Sequence, residues 1–237
     1  MRHAILPFLL ALASPAAMAQ APAQTCSASS GNSPPQVVEL YTSEGCSSCP
    51  PADRWLSTLK ARPGVLALAF HVNYWDRLGW PDRFASPEAT ARQYQLAQAA
   101  GSRNVYTPQV LVNGRDWRDW PRLPTRMTGV APRLTLSREG DKVVAQIEGG
   151  GGGAWAGYWA VLEDEHVSQV RAGENAGETL RHDHVVRLYK PVPAWNAAQA
   201  HRSEIGIARG DAAFPRRVAF VVTDAAMRPL QALALAC

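Results

Sequence analysis

"YTSEGCSSCPPADRW", Tyr41 to Trp55, holds two of the chain's four cysteines with two serines between them. It overlaps the end of "QVVELYT" (36–42), a short apolar run that reads as a buried strand. It opens "PADRWLSTLKAR" (51–62), a helical pattern begun by prolines and closed by Pro63 and Gly64. Cys46 therefore falls just past a strand and Cys49 at the first turn of a helix. Pro50 and Pro51 suit that place because first-turn N–H groups have no helical partner. The same free N–H groups and the helix dipole stabilise an anion, so Cys46 is expected to have a lowered thiol pKa. Cys49, one turn further in, is the shielded partner that resolves a mixed disulfide. Structural zinc needs four ligands, and no second Cys-x-x-Cys exists. A staple closing four residues constrains little chain entropy. A CxxC between strand and helix in a βαβ unit favours redox chemistry over both.

The compartment bears on that choice. "MRHAILPFLLALASPAAMA" combines Arg2 and His3, a short apolar run and a small-residue ending, the pattern of a signal peptide cleaved after Ala19. The run is too short to span a bilayer, and Cys26 stands too far from it, across a polar segment, for lipid attachment. The expectation is a periplasmic or secreted protein without membrane insertion, where disulfides persist. With 46% hydrophobic and 19% charged residues the composition is that of a globular chain. The net charge of +4 is spread out, and no Lys/Arg stripe marks a nucleic-acid partner.

Working outward, "VLALAFHV" (65–72) is a second buried strand and "SPEATARQYQLAQAAG" (86–101) a helix with Ser86 as N-cap, Pro87 at its first position and Gly101 as its stop. "PQVLVNG" (108–114) is a third strand ending in an Asn-Gly turn. The βαβαβ order predicts parallel pairing with helices on the sheet. Beyond residue 130 the chain reads as strands joined by Gly-rich or polar turns, which predicts a mainly antiparallel, sandwich-like β domain. The glycine run "EGGGGGAW" lacks the Lys-Ser/Thr pair and following helix of a phosphate loop, and reads as a hairpin tip. The organisation expected is signal peptide 1–19, N-terminal tail 20–35, α/β domain 36–130 and β-rich domain 131–237.

"VYTPQVLVNG" (105–114) resembles the thioredoxin and glutaredoxin segment in which a cis-proline opens the strand beside the CxxC. The resemblance implies a cis Thr107–Pro108 bond facing the sulfur pair, with the backbone of Thr107 free to pair with substrate. Together with "VVELYTSEGCSSCPPAD", "ALAFHVNYWDRLGWPDRFASPEATARQ" and "GENAGETLRHDHVVR", it is similar to the DUF1223 family of secreted, thioredoxin-like bacterial proteins. That resemblance implies an α/β thioredoxin-like fold for the first domain and a CxxC site; it supplies no substrate.

Other residues carry two readings each. Glu39 is either a buried acid that takes the proton of the resolving cysteine or a surface residue of the sheet. Glu44 is expected to be exposed, raising the thiol pKa slightly. His71, Tyr74, Trp75, Asp76 and Trp80 follow the second strand, at the end where such sheets bind ligands. They form either a loop packed by its own aromatics or a groove beside Cys46 walled by Trp75 and Trp80. His182 and His184 are expected on one face of a strand, at the surface, and are assigned no metal. Trp117 and Trp120 are expected to cover sheet edge. The function expected is an exported thiol–disulfide oxidoreductase that needs no cofactor. It would act on protein or small-molecule thiols and disulfides and be recharged by a redox partner protein. The alternative is a binding module on the same scaffold, or a copper-handling protein using Cys46, Cys49 and His71. Four cysteines allow three pairings. The CxxC spacing takes Cys46 with Cys49, which leaves Cys26–Cys237 as a staple between the chain ends.

Overall fold

A computed structural model describes, besides Met1, residues 25–126, 131–208 and 210–237. The expected leader and its cleavage site lie outside the described residues. In chain order the elements are β1 Thr25–Ser29, β2 Gln36–Thr42, α1 Pro50–Ser57, β3 Val65–His71, α2 Pro87–Ala99, β4 Gln109–Val112 and β5 Arg115–Asp116. There follow β6 Leu134–Glu139, β7 Lys142–Ile147, β8 Ala154–Glu163, β9 His166–Gln169, β10 Thr179–His182, β11 Val185–Asn196, β12 His201–Gly206, β13 Arg216–Asp224 and β14 Pro229–Leu235.

Strand β2 is buried along its whole length because it has a neighbour on each side and a layer on each face. Val38 and Leu40 pack against Ala52 and Leu56 of α1, whereas Val37 and Tyr41 face Leu96 of α2 and Phe70 of β3. A strand covered on both faces reads as a continuous apolar run, which is why "QVVELYT" was legible. Truncating a fully buried leucine such as Leu40 costs about 2–5 kcal/mol. The N-cap of α2 forms as the sequence predicts, with the Ser86 hydroxyl accepting from Ala89 N–H at 3.0 Å.

Two expectations about topology are corrected. Strands β2 and β3 are parallel, but β4 runs antiparallel to β2, with Gln109 opposite Tyr41. The segment after α2 doubles back along the helix, where Gln93 Nε2 donates to the Tyr106 carbonyl at 2.8 Å. Strand β4 therefore starts at the end where β2 finishes, and the βαβ rule for parallel crossovers does not apply to it. The glycine run is not a hairpin tip either, since it carries the chain from β7 in one sheet to β8 in another.

The main sheet has eight strands in the order β14-β13-β8-β11-β3-β2-β4-β5, and it passes without a break through residues on both sides of position 130. The join is β11 alongside β3, parallel, with Val185 opposite Ala69 and Ala69 N–H donating to the His184 carbonyl at 2.8 Å. Without β11 the apolar strand β3 would be an open edge. Residue 130 thus marks a change of pattern rather than an end of the sheet. A four-stranded sheet, β1-β6-β7-β12, packs on the antiparallel half of the main sheet. Leu134, Leu136 and Ile147 meet Trp159, Phe220 and Val222 there in a second core. Part of the expected N-terminal tail is strand β1, paired with β6, and Cys26 on it is disulfide-bonded to Cys237 with Cα atoms 6.6 Å apart.

Candidate functional site: a buried cysteine pair

The turn from β2 into α1 is tight because each N–H finds a nearby carbonyl. Cys46 N–H donates to Ser43 O and Cys49 N–H to Cys46 O, both at 3.1 Å. Cys49 is the N-cap of α1, with Pro50 and Pro51 in the first turn. Cys46 and Cys49 form a disulfide with Cα atoms 5.4 Å apart. Gly45 permits a close approach, since a Cβ there would lie 3.1 Å from Trp75 Cβ. The Thr107–Pro108 bond is cis, and Thr107 Oγ1 donates to Cys46 Sγ at 3.2 Å. The same oxygen accepts from Trp75 Nε1 at 2.8 Å. A hydroxyl that accepts from an indole N–H is polarised toward the sulfur, and only Cys46 has such a donor among the described side-chain bonds.

Beneath Cys46 lies a polar cluster. Glu44 is buried, which corrects the expectation that it is exposed. Its Oε2 accepts from Trp80 Nε1 at 2.8 Å, and its Oε1 lies 3.2 Å from His182 Nε2. Burial pushes this carboxyl up, but the donors around it, His182 foremost, outweigh burial and hold it below its ordinary range. His71 Nδ1 is 2.6 Å from Asp82 Oδ2, and that oxygen also accepts from Glu44 N–H at 2.9 Å. Asp82 is lowered to about 2: burial opposes ionisation, but the His71 charge, its hydrogen bond and two backbone N–H donors prevail. Asp53 of α1 is raised, chiefly by burial against the pull of His182 and His71, and accepts from Thr42 Oγ1 at 3.0 Å. A cavity of about 110 Å3 reaches it between α1 and β10, lined by Arg54, Leu180 and His182.

The other expected site residues separate into two groups. Trp75 touches the site through Thr107, and Trp80 through Glu44. Tyr74 points instead to Gln93, donating its hydroxyl to Gln93 Oε1 at 3.3 Å, and its phenol is pushed up to about 12, chiefly by burial. Asp76 accepts from Asp82 N–H at 3.1 Å and so fastens its own loop. Glu39 is buried but faces away from the cysteines. Side chains alternate along β2, so Glu39 shares the face of Val37 and Tyr41. There it accepts from Arg92 and Tyr158, both at 2.6 Å. His182 and His184 are both buried rather than at the surface, and only His182 belongs to a strand, because β10 ends with it. Trp117 and Trp120 pack, half-exposed, against the core beside α1. Among the described residues, no three His, Cys, Asp or Glu are placed to share a metal ion, and no helix is long and apolar enough to cross a membrane.

Besides Asp82, the residues that the sequence reading assigned no role, yet which touch the cysteine turn, come from the β9–β10 hairpin. Asn175 Nδ2 donates to the carbonyls of Glu44 and Cys46, at 2.8 and 3.0 Å. Glu174 Oε2 accepts from the N–H and the hydroxyl of Ser47, at 3.1 and 2.8 Å. The available signal was the "GENAGE" stretch, polar and glycine-punctuated, whose partner lay far upstream.

Comparison with solved structures shows that the fold recurs. An X-ray structure of a protein from Agrobacterium tumefaciens superposes with a TM-score of 0.63 at 27% identity, covering 87% of this chain and 96% of that one. HBP35 of Porphyromonas gingivalis superposes with a TM-score of 0.60 at 15% identity, covering 87% of this chain and 76% of that one, a likeness of fold alone. No curated protein matches the chain. Residues 37–223, from β2 to β13, match the family described as "Protein of unknown function (DUF1223)", and with both the cysteine turn and the hairpin over it inside that match, the chain belongs to this family.

Proposed function

We propose that the protein is an exported thiol–disulfide oxidoreductase whose redox pair is Cys46–Cys49, carried on a thioredoxin-like α/β half. The observation that carries the reading is the asymmetry of the pair. Cys46 alone receives the Thr107 hydroxyl, so its thiolate is the one stabilised when the disulfide opens. In the reduced protein the Cys46 thiolate attacks a substrate disulfide R–S–S–R′. The Cys46–S–R bond forms as R′–S⁻ leaves and takes up a proton. The Cys49 thiolate then attacks Cys46 Sγ, expelling R–S⁻ and restoring the disulfide, and the two electrons have passed to the substrate. A dithiol partner protein resets the pair by the reverse exchange. Run the other way, the same steps oxidise a substrate dithiol. The leader pattern and the two disulfides support an oxidising compartment outside the cytosol.

The test is dithiothreitol-driven reduction of insulin, with Cys46→Ser and Cys49→Ser as controls and alkylation of the reduced protein mapped by mass spectrometry. Turnover lost in both variants, with Cys46 labelled faster than Cys49 at neutral pH, is the expected result. No turnover above dithiothreitol alone, with equal slow labelling of both cysteines, would overturn the assignment.

A further inference from the structure

Cys46 and Cys49 are each 0% exposed, although Ser47 and Ser48 between them are exposed. Thiol–disulfide exchange needs a third sulfur in line with the pair, so something must move before a substrate arrives. On one side stand Trp75 and Thr107, fixed to each other. On the other lies the β9–β10 tip, residues 170–178. It is braced on itself, with Gly177 N–H donating to Val170 O at 2.9 Å and Glu178 N–H to Asn175 O at 3.1 Å. Its two contacts with the cysteine turn differ in kind. Asn175 is buried and joins the carbonyls of Glu44 and Cys46 through one amide nitrogen, the second carbonyl also accepting from Cys49 N–H, which makes it an anchor. Glu174 is exposed and grips Ser47 through one oxygen, with solvent beside it to take over when it lets go. Gly173, with φ +74°, lets the chain turn against Trp80.

We propose that Glu174 is the specificity determinant of the redox site. It latches the hairpin tip over Cys46, so that the site admits low-molecular-weight thiols and discriminates against thiols and disulfides held in folded proteins. A small thiol needs a slight displacement of the tip, whereas a protein partner needs the Glu174–Ser47 contact to open fully. This rests on Cys46 being the sulfur that exchanges, but its test reads a single reduction of the disulfide and needs no turnover.

The probes are dithiothreitol and a reduced protein dithiol of thioredoxin size, each applied to the oxidised full chain. Opening of Cys46–Cys49 is followed by quenched alkylation and peptide mapping, which separates it from Cys26–Cys237. Glu174→Ala should raise the rate with the protein dithiol about two- to tenfold, the range for releasing one exposed hydrogen-bonded contact. It should leave the dithiothreitol rate nearly unchanged. Glu174→Gln, which still offers Ser47 an oxygen, should stay near the parent ratio and controls for loss of charge. Equal acceleration of both probes, or none, would overturn the latch. Inactivity toward insulin combined with a probe-selective effect of Glu174→Ala would instead retain the latch and discard the catalytic reading.

Discussion

Thr107→Val removes one hydroxyl and keeps the side chain's shape. In the parent structure that hydroxyl donates to Cys46 Sγ at 3.2 Å and accepts from Trp75 Nε1 at 2.8 Å. Once the disulfide opens, its acceptor is a thiolate, and hydrogen bonds to charged groups contribute about 1.5–3 kcal/mol. At about 1.4 kcal/mol per pKa unit, the substitution should raise the Cys46 thiol pKa by about one to two units. The bond favours the reduced form, so losing it makes the couple harder to reduce. At about 30 mV per 1.4 kcal/mol for two electrons, the potential should fall by at most about 30–60 mV. Leaving Trp75 Nε1 without its acceptor should cost a further ~1 kcal/mol of stability. Thr107→Ser keeps the hydroxyl and should behave like the parent on all three counts. The assays are the pH dependence of Cys46 alkylation and equilibration with glutathione. A Thr107→Val protein with the parent's pKa and potential, or a Thr107→Ser protein shifted as far, would refute the claim that this hydroxyl tunes the sulfur.

Two further predictions concern stability. Asp82 is lowered to about 2 from 3.8, so it stabilises the fold above its unfolded pKa, by about 2 kcal/mol, and that contribution disappears as pH falls from about 4 to about 2. His71 is raised, so its share is present below about 6.5 and is lost as pH climbs past its folded value; Asp82→Asn should flatten both limbs in denaturant titrations across pH, and an unchanged profile would count against the pair. Replacing Cys26 and Cys237 together by serine opens a loop with a sequence separation of 211 and should lower unfolding free energy by up to about 5 kcal/mol on the chain-entropy model, read as a lower denaturant midpoint; an unmoved midpoint would show that the ends are held by strand pairing alone.

What was legible in the sequence follows from the range of the interactions. Strand β2, helix α1 and the cysteine turn are adjacent in the chain, and their apolar runs, prolines and caps act within a few residues. Glu44 was misjudged because nothing near it in sequence buries it. Its carbonyl is bonded by Asn175, 131 residues away, and its carboxylate is bonded by Trp80 and faces His182 at 3.2 Å. Glu39 was a different failure. Period-two alternation along β2 places it on the face opposite Val38 and Leu40, and so opposite α1. The alternation was available from the strand alone, whereas the face that α1 covers came from the structure, and the two together remove Glu39 from the cysteine site. The direction of β4 needed the path of residues 100–108, which no periodicity encodes.

The continuity of the main sheet also decides how the site can open. If residues beyond 130 formed a separate body, Cys46 would be uncovered by one body swinging off the other. Instead β11 is bonded to β3, and Lys60 Nζ just after α1 reaches Asp183 at 2.8 Å. His182 closes on Glu44 from the end of the same ribbon. The base of the β9–β10 hairpin is therefore tied to the scaffold that carries the cysteines, at three points on both sides of α1. Among the described residues, the tip between Val170 and Thr179 has no such ties beyond Glu174 and Asn175, and it carries Gly173 and Gly177 in the positive-φ region, where other residues are disfavoured. Access to the sulfur pair is thus confined to a short segment, and one exposed carboxylate can govern it without any change in the sheet.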